Sequence, residues 1–281
     1  MLALCLVNPV TTFAADPAAL EKLKSDSDRG DPAALFALGK AYATGDGVAH
    51  DDAKAFECYR KSAELGNAKA QHNLGGMYLN GLAVKKDEQE ALRWYRKAAE
   101  QGAVLSQYAL GCLLSEGKST TPNAPEAAGW LRKAAEQGSV EAQFRLGQLY
   151  YHGAGGFKVD RSEAAKWLSV AAAQKHAGAA NTLGVMYEEG EAVTRSLPEA
   201  YRLFLAAAMG GSVQGQSNLG RCYALGIGIP KDPVQAYRWL KLASDKGEVT
   251  ATNLLVDYKN GFSKAQIEEG ERLMREDKKR N

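Results

Sequence analysis

The sequence has almost no excess of charge: 35 Lys and Arg stand against 33 Asp and Glu in 281 residues, a formal net charge of +2. Binding to nucleic acid draws its affinity from cations that release counterions along the phosphate backbone, so this balance argues against a nucleic-acid partner. The one basic cluster, Lys278-Lys279-Arg280, reads as a solvated helix end. Uncharged apolar runs of the roughly 18 residues needed to span a bilayer are missing, and no transmembrane segment is expected. Proline is scarce, with 8 residues against 29 Gly, and 45% of the chain is hydrophobic, which excludes a disordered chain. The four His, at 50, 72, 152 and 176, have no second His, Cys or carboxylate at ligand spacing on a shared helix, so no metal site is expected. The glycine cluster Gly153-Ala154-Gly155-Gly156 follows a helix rather than a strand and lacks a Lys-Ser/Thr ending, so it reads as a tight connection and not a phosphate loop. No cofactor and no catalytic residue is expected.

Residues 1–15 form an apolar stretch that ends in small residues. Cleavage after Ala14 places Thr12 and Ala14 in the small-residue positions of a signal-peptidase site. The expectation is a secretory signal and a periplasmic or secreted protein. A cytoplasmic location is the alternative, because no basic residue precedes the stretch. A lipoprotein reading of Leu2-Ala3-Leu4-Cys5 is weaker, since Leu4 stands where a small residue is required. Beyond the leader, Cys58, Cys112 and Cys222 remain, an odd number that leaves at least one unpaired.

What is abundant is repetition. Leu-Gly pairs at Leu38-Gly39, Leu74-Gly75, Leu110-Gly111, Leu146-Gly147, Leu183-Gly184 and Leu219-Gly220 recur every 36 or 37 residues. Four residues before each Leu stands Ala34, Ala70, Ser106, Ala142, Ala179 or Gly215; three after each Gly comes Tyr42, Tyr78, Leu114, Tyr150, Tyr187 or Tyr223. Those offsets make one helical face, with small residues where another helix approaches. A second helix opens at Asp51, Asp87, Asn123, Asp160, Ser196 and Asp232, all strong N-cap types. Glu90, Glu126, Glu163, Glu199 and Gln235 three positions on complete a capping-box pattern in five of six copies. Ala then recurs at the fourth position and bulky residues at the seventh and eighth, as interdigitating helices require. Gly66, Gly102, Gly138, Gly211 and Gly247 mark left-handed turns into the next copy, and Lys175 breaks that series, which predicts a fourth turn that is strained or differently shaped.

Each copy is therefore helix, loop, helix, turn. A lone pair cannot bury its apolar stripe, but stacked pairs share a core, so the expected class is all-α: a right-handed α/α superhelical solenoid of helix-turn-helix repeats. The expected organisation is 1–15 signal segment, 16–30 N-terminal capping helix, and six repeats at 31–66, 67–102, 103–138, 139–176, 177–211 and 212–247. Residues 248–281 form a partial seventh repeat, in which Val256 replaces the Gly, and a closing helix from Ser263 to Arg272 with a basic tail.

The pattern Ala-x-x-x-Leu-Gly-x-x-Tyr, then Asp-x-x-x-Ala, then Trp-Tyr-x-Lys-Ala-Ala-Glu-x-Gly resembles the Sel-one-like repeat family, a relative of the tetratricopeptide repeat. The segment from Gln89 to Gly102 matches it almost completely. The resemblance implies a non-enzymatic adaptor, a monomer that binds a protein or peptide in a concave groove. In related solenoids the residues two before the Leu and one after the Gly face that groove. By that analogy the columns are Phe36, His72, Tyr108, Phe144, Asn181, Ser217 and Lys40, Gly76, Cys112, Gln148, Val185, Arg221. The first is aromatic or His in repeats one to four, which points to a peptide surface or to packing between helices. A cysteine-rich branch of the family has weak β-lactam binding or hydrolysis attributed to it, so a cell-wall-active enzyme is the alternative. Ser115-Glu116-Gly117-Lys118 has the Ser-x-x-Lys form, yet no Lys-Thr-Gly or Ser-Asp-Asn accompanies it. The branch also pairs cysteines within each repeat, whereas the cysteines here lie in repeats one, three and six, beyond disulfide reach, and read as small hydrophobes.

Overall fold

The computed structural model describes residues 16–116, 123–153, 157–258 and 261–280, with side chains to Glu276, and among these residues it contains fifteen α-helices and no strand. The leader, Gly117 and Lys118, residues 154–156 and the side chains of the basic tail lie outside the described residues. A capping helix α1 (Pro17–Asp28) is followed by first helices α2 (Pro32–Thr44), α4 (Ala68–Asn80), α6 (Val104–Glu116), α8 (Val140–His152), α10 (Ala177–Glu189) and α12 (Val213–Leu225). They alternate with second helices α3 (Asp52–Glu64), α5 (Glu88–Glu100), α7 (Ala124–Glu136), α9 (Arg161–Ala173), α11 (Leu197–Met209) and α13 (Pro233–Ser244). Helices α14 (Val249–Asp257) and α15 (Lys264–Arg280) end the chain. Two compact bodies result, residues 1–133 and 134–281, each with its own stacked helix hairpins.

All six expected caps are made. Asp51 accepts from the Lys54 amide at 3.0 Å, Asp87 from Glu90 at 3.0 Å, Asn123 from Glu126 at 3.2 Å, Asp160 from Glu163 at 3.0 Å, Ser196 from Glu199 at 3.4 Å and Asp232 from Gln235 at 3.1 Å. Each such cap stabilises its helix by about 1 kcal/mol. The return half of the capping box is replaced. The cap's own amide donates to the carbonyl at the Tyr position of the preceding helix: Asp87 to Tyr78 at 2.9 Å, Asp160 to Tyr150 at 2.9 Å and Asp232 to Tyr223 at 3.0 Å are examples. With that amide already satisfied, two of the glutamates pair three residues on, Glu90 with Arg93 at 3.1 Å and Glu163 with Lys166 at 2.6 Å, while Glu126 meets Arg96 of the preceding repeat at 2.8 Å. The reciprocal box is made at α15 instead, between Ser263 and Gln266 at 2.8 and 3.3 Å.

The turn glycines take φ of +84° to +92°, and Lys175 adopts the same left-handed turn with φ +66°. The Lys175 and His176 amides keep the bonds of that turn, to Ala172 at 2.9 Å and Ala171 at 3.1 Å. The fourth turn is thus strained rather than reshaped. Replacing Lys175 by Gly is expected to raise unfolding free energy by about 1 kcal/mol, read from urea titration. An unchanged or lower value would show that the turn carries no strain.

The end of the chain departs from the sequence reading. Helix α15 runs past Arg272, and its packing partner is α13: Gly270 lies against Tyr237, whose ring is 5.7 Å from that of Phe262. At the Gly position of α14, Val256 is 66% exposed, because no second helix presses on it.

Candidate functional site

Within each body the first helices are locked to their paired second helices at the Leu-Gly pair. A Cβ on Gly39, Gly75, Gly111, Gly147, Gly184 or Gly220 would stand 2.7–3.0 Å from Tyr59, Tyr95, Leu131, Leu168, Phe204 or Leu240 respectively. This close seating leaves the residues two before the Leu and one after the Gly at the margin of that contact.

In the N-terminal body Phe36, His72 and Tyr108 are all half-buried. The Phe36 ring lies 5.8 Å from that of Tyr59, and the His72 ring 5.3 Å from that of Tyr95. His72 also places Nδ1 2.9 Å from the Ser106 hydroxyl of the next repeat. Lys40 and Cys112 are half-buried beside them.

In the C-terminal body Phe144 stacks at 4.2 Å on the His176 ring, and its Cζ lies 2.9 Å from where a Cβ of Gly178 would stand. It therefore seals one repeat onto the next. Gln148 and Asn181 are half-buried. Asn181 accepts from Asn218 Nδ2 at 2.9 Å, and Arg221 donates to both Glu188 oxygens at 2.9 and 2.6 Å. These contacts tie repeat five to repeat six. Ser217, expected in the groove column, is buried.

His176 is an unexpected cap: its Nδ1 accepts from the Ala179 amide at 3.1 Å. Burial pushes both His72 and His176 below the ordinary value of 6.5. The unfolded chain therefore holds more protons than the folded one, and stability rises with pH. The contribution is complete above about pH 6.5 and is lost as pH falls through the depressed folded values. The urea midpoint is expected to be higher at pH 7.5 than at 5.5, with a smaller difference in the double variant His72→Gln, His176→Asn. An equal difference in the variant would assign the pH dependence elsewhere.

One set of residues escaped the sequence reading. Gln71, Gln107, Gln143 and Gln216 are buried, and each donates to a carbonyl at the end of the preceding helix, Ala63 at 3.1 Å, Ala99 at 3.2 Å, Ala135 at 3.2 Å and Ala208 at 3.5 Å. In three of them the side-chain oxygen is also satisfied, Gln71 by Gln101 at 2.8 Å, Gln143 by Gln174 at 2.7 Å and Gln216 by Lys246 at 3.3 Å. The available signal was a Gln repeated at a position whose periodicity marks it as core.

The Ser115 hydroxyl donates to the Cys112 carbonyl at 2.8 Å, and Lys118 lies outside the described residues. Cys58 and Cys222 are free thiols; burial pushes Cys58 up and Cys222 up to about 12, which keeps both protonated at neutral pH. No cluster of three or more His, Cys, Asp or Glu able to hold a metal occurs among the described residues, and no helix there is long and apolar enough to cross a membrane.

The repeat is shared with known proteins. The Sel1 repeat model matches residues 32–67, 68–102, 104–139, 140–176, 177–212 and 213–248. Among solved structures, a Sel1 repeat protein from Oxalobacter formigenes is 33% identical, with a TM-score of 0.69 over 81% of this chain and 93% of that one. The protective antigen c5321 of uropathogenic Escherichia coli, which displays the same repeat fold, is 27% identical with a TM-score of 0.63. That likeness covers 92% of this chain, which spans 63% of the antigen's length. No curated protein matches the sequence. With six matched repeats and their helix pairs in place, the chain belongs to the Sel1 repeat family.

Proposed function

We propose that the chain is a non-catalytic adaptor that holds a protein or peptide against the faces of its first helices. Sel1 repeats build scaffold folds that commonly serve protein interaction. The observation that carries the reading to this chain is the N-terminal column of Phe36, His72 and Tyr108, which stays half-buried while the core beneath it is closed. Aromatic residues at such positions supply a large share of binding energy at interfaces. Rigid repeat junctions, through the glutamines and the Arg221–Glu188 pair, support a preformed surface that loses little entropy on binding.

Affinity capture followed by mass spectrometry, with native chain and Tyr108→Ala compared, tests it. The expected result is loss of the captured protein at little cost in thermal stability. Lost stability with capture retained would assign the column to packing. Phe144→Ala serves as a packing control, because its ring lies against Gly178 and His176. Export to the periplasm or medium is supported by the leader-like composition of residues 1–15, and N-terminal sequencing of the fractionated protein should begin at Ala15.

A further inference from the structure

Independently of what the chain binds, we propose that the turn between repeats four and five is an acid-sensitive hinge, in which a proton taken up by His176 removes the cap of α10 and loosens that one junction of the C-terminal body. His176 Nδ1 accepts from the Ala179 amide at 3.1 Å, which requires a neutral ring with its proton on Nε2. A second proton goes to Nδ1, sets N–H against N–H and places a positive charge at the N-terminus of α10. An amide cannot turn round to accept, so the bond is lost. His72 differs, because its partner is the Ser106 hydroxyl, which can donate or accept, and that bond survives protonation. The other first helices with a side-chain cap use Asp31, Asn67, Ser139, Ser212 and Glu248, none of which changes charge between pH 5 and 7.5 at its ordinary value.

Two further features weaken the same turn. Lys175 holds a left-handed φ of +66° where the turns into repeats two, three, four and six have Gly66, Gly102, Gly138 and Gly211. Of the five junctions between full repeats, four are tied by a buried Gln that reaches back to the end of the preceding helix; the junction between repeats four and five has Ala180 in that place. The His176 ring is itself part of the seal. Phe144 of repeat four stacks on it at 4.2 Å, and its Cε1 lies 3.2 Å from where a Cβ of Gly178 would stand. Burial there holds the ring below its ordinary value, while Glu141 of α8 favours the protonated form and Arg145 of α8 opposes it. Lys175, beside it in the chain, is exposed; the end of α9 from Ala171 to Gln174 and Gly210, which lies against Ala177, bring no charge. An open turn returns the ring to its ordinary value of about 6.5, so opening is favoured as pH falls below that value.

Native-state hydrogen exchange of the full chain, read by mass spectrometry of peptic fragments and corrected for the intrinsic effect of pH on exchange, follows opening turn by turn. From pH 7.5 to 5.0 the fragment holding the Ala179 and Ala180 amides is expected to lose roughly fivefold in protection, the factor that one lost cap represents. The next turn of the same body is the control: Ser212 accepts there from the Gly215 amide at 3.0 Å, and protection of Gly215 and Gln216 should change little. His176→Asn and His176→Ser keep an acceptor that does not titrate, as Asn67 and Ser212 do, and each should remove the pH dependence at α10 whatever its absolute protection. His176→Ala should show at pH 7.5 the low protection that the native chain reaches at 5.0, with little further loss. An equal loss at Gly215 would make the acid response global and overturn the hinge. A loss that persists in both His176→Asn and His176→Ser would assign it to another group and overturn it too, as would native protection that is unchanged at pH 5.0.

Discussion

Gly220→Ala is expected to destabilise the chain by about 1–3 kcal/mol, although Ala is the better helix former. A Cβ there would meet Leu240 Cγ at 2.7 Å and, more restrictively, the Leu240 backbone nitrogen at 2.9 Å. A side chain can rotate away, but a backbone atom in the middle of α13 moves only with its helix. The favourable propensity term is at most about 1 kcal/mol, so overpacking wins. Gly129 in α7 is the matched control: nothing lies within 4 Å of its added Cβ, its φ is not positive, and Gly129→Ala should stabilise by about 0.5–1 kcal/mol. Urea unfolding of both variants checks the pair. A neutral Gly220→Ala would mean that the two helices can separate by a few tenths of an ångström without loss.

The second large effect is expected at Gln143. Met fills nearly the same volume, so Gln143→Met isolates the hydrogen bonds from the cavity. It removes the donor to the Ala135 carbonyl and the acceptor for Gln174 Nε2. A buried group left unsatisfied costs about 1–3 kcal/mol, and Gln174 can recover part by turning to water, so the expected loss is about 2 kcal/mol. The opposite outcome has a precedent within the chain. Repeat five has Ala180 at this position and repeat one has Leu35, so an apolar residue can be built in where the neighbours match. A Gln143→Met chain as stable as the native one would show that the glutamines set spacing and not stability.

The two predictions lie on opposite sides of what could be read in advance. The Leu-Gly pair announced a close helix contact because it recurs with bulky residues at a fixed offset. The glutamines recur too, but a polar residue on a core face has no reading until the carbonyl it bonds is located. The same holds for the capping box, whose residues are present while the return bond goes to the preceding Tyr carbonyl.

The sequence by itself determined the repeat length, the helix starts, the left-handed turns and the all-helical class. These depend on residues within about one turn of each other, and cap chemistry, glycine φ and apolar period act at that range. Only the tertiary structure decided which groups meet across 20 to 40 positions. It seated α15 on α13 and left Val256 uncovered, made Phe144 a seal between repeats against the His176 ring, and brought the Tyr95 hydroxyl under Gly76. Each of those outcomes is a competition between several partners for one surface or one hydrogen bond. Such competitions are settled by distance and burial, which the order of residues does not carry.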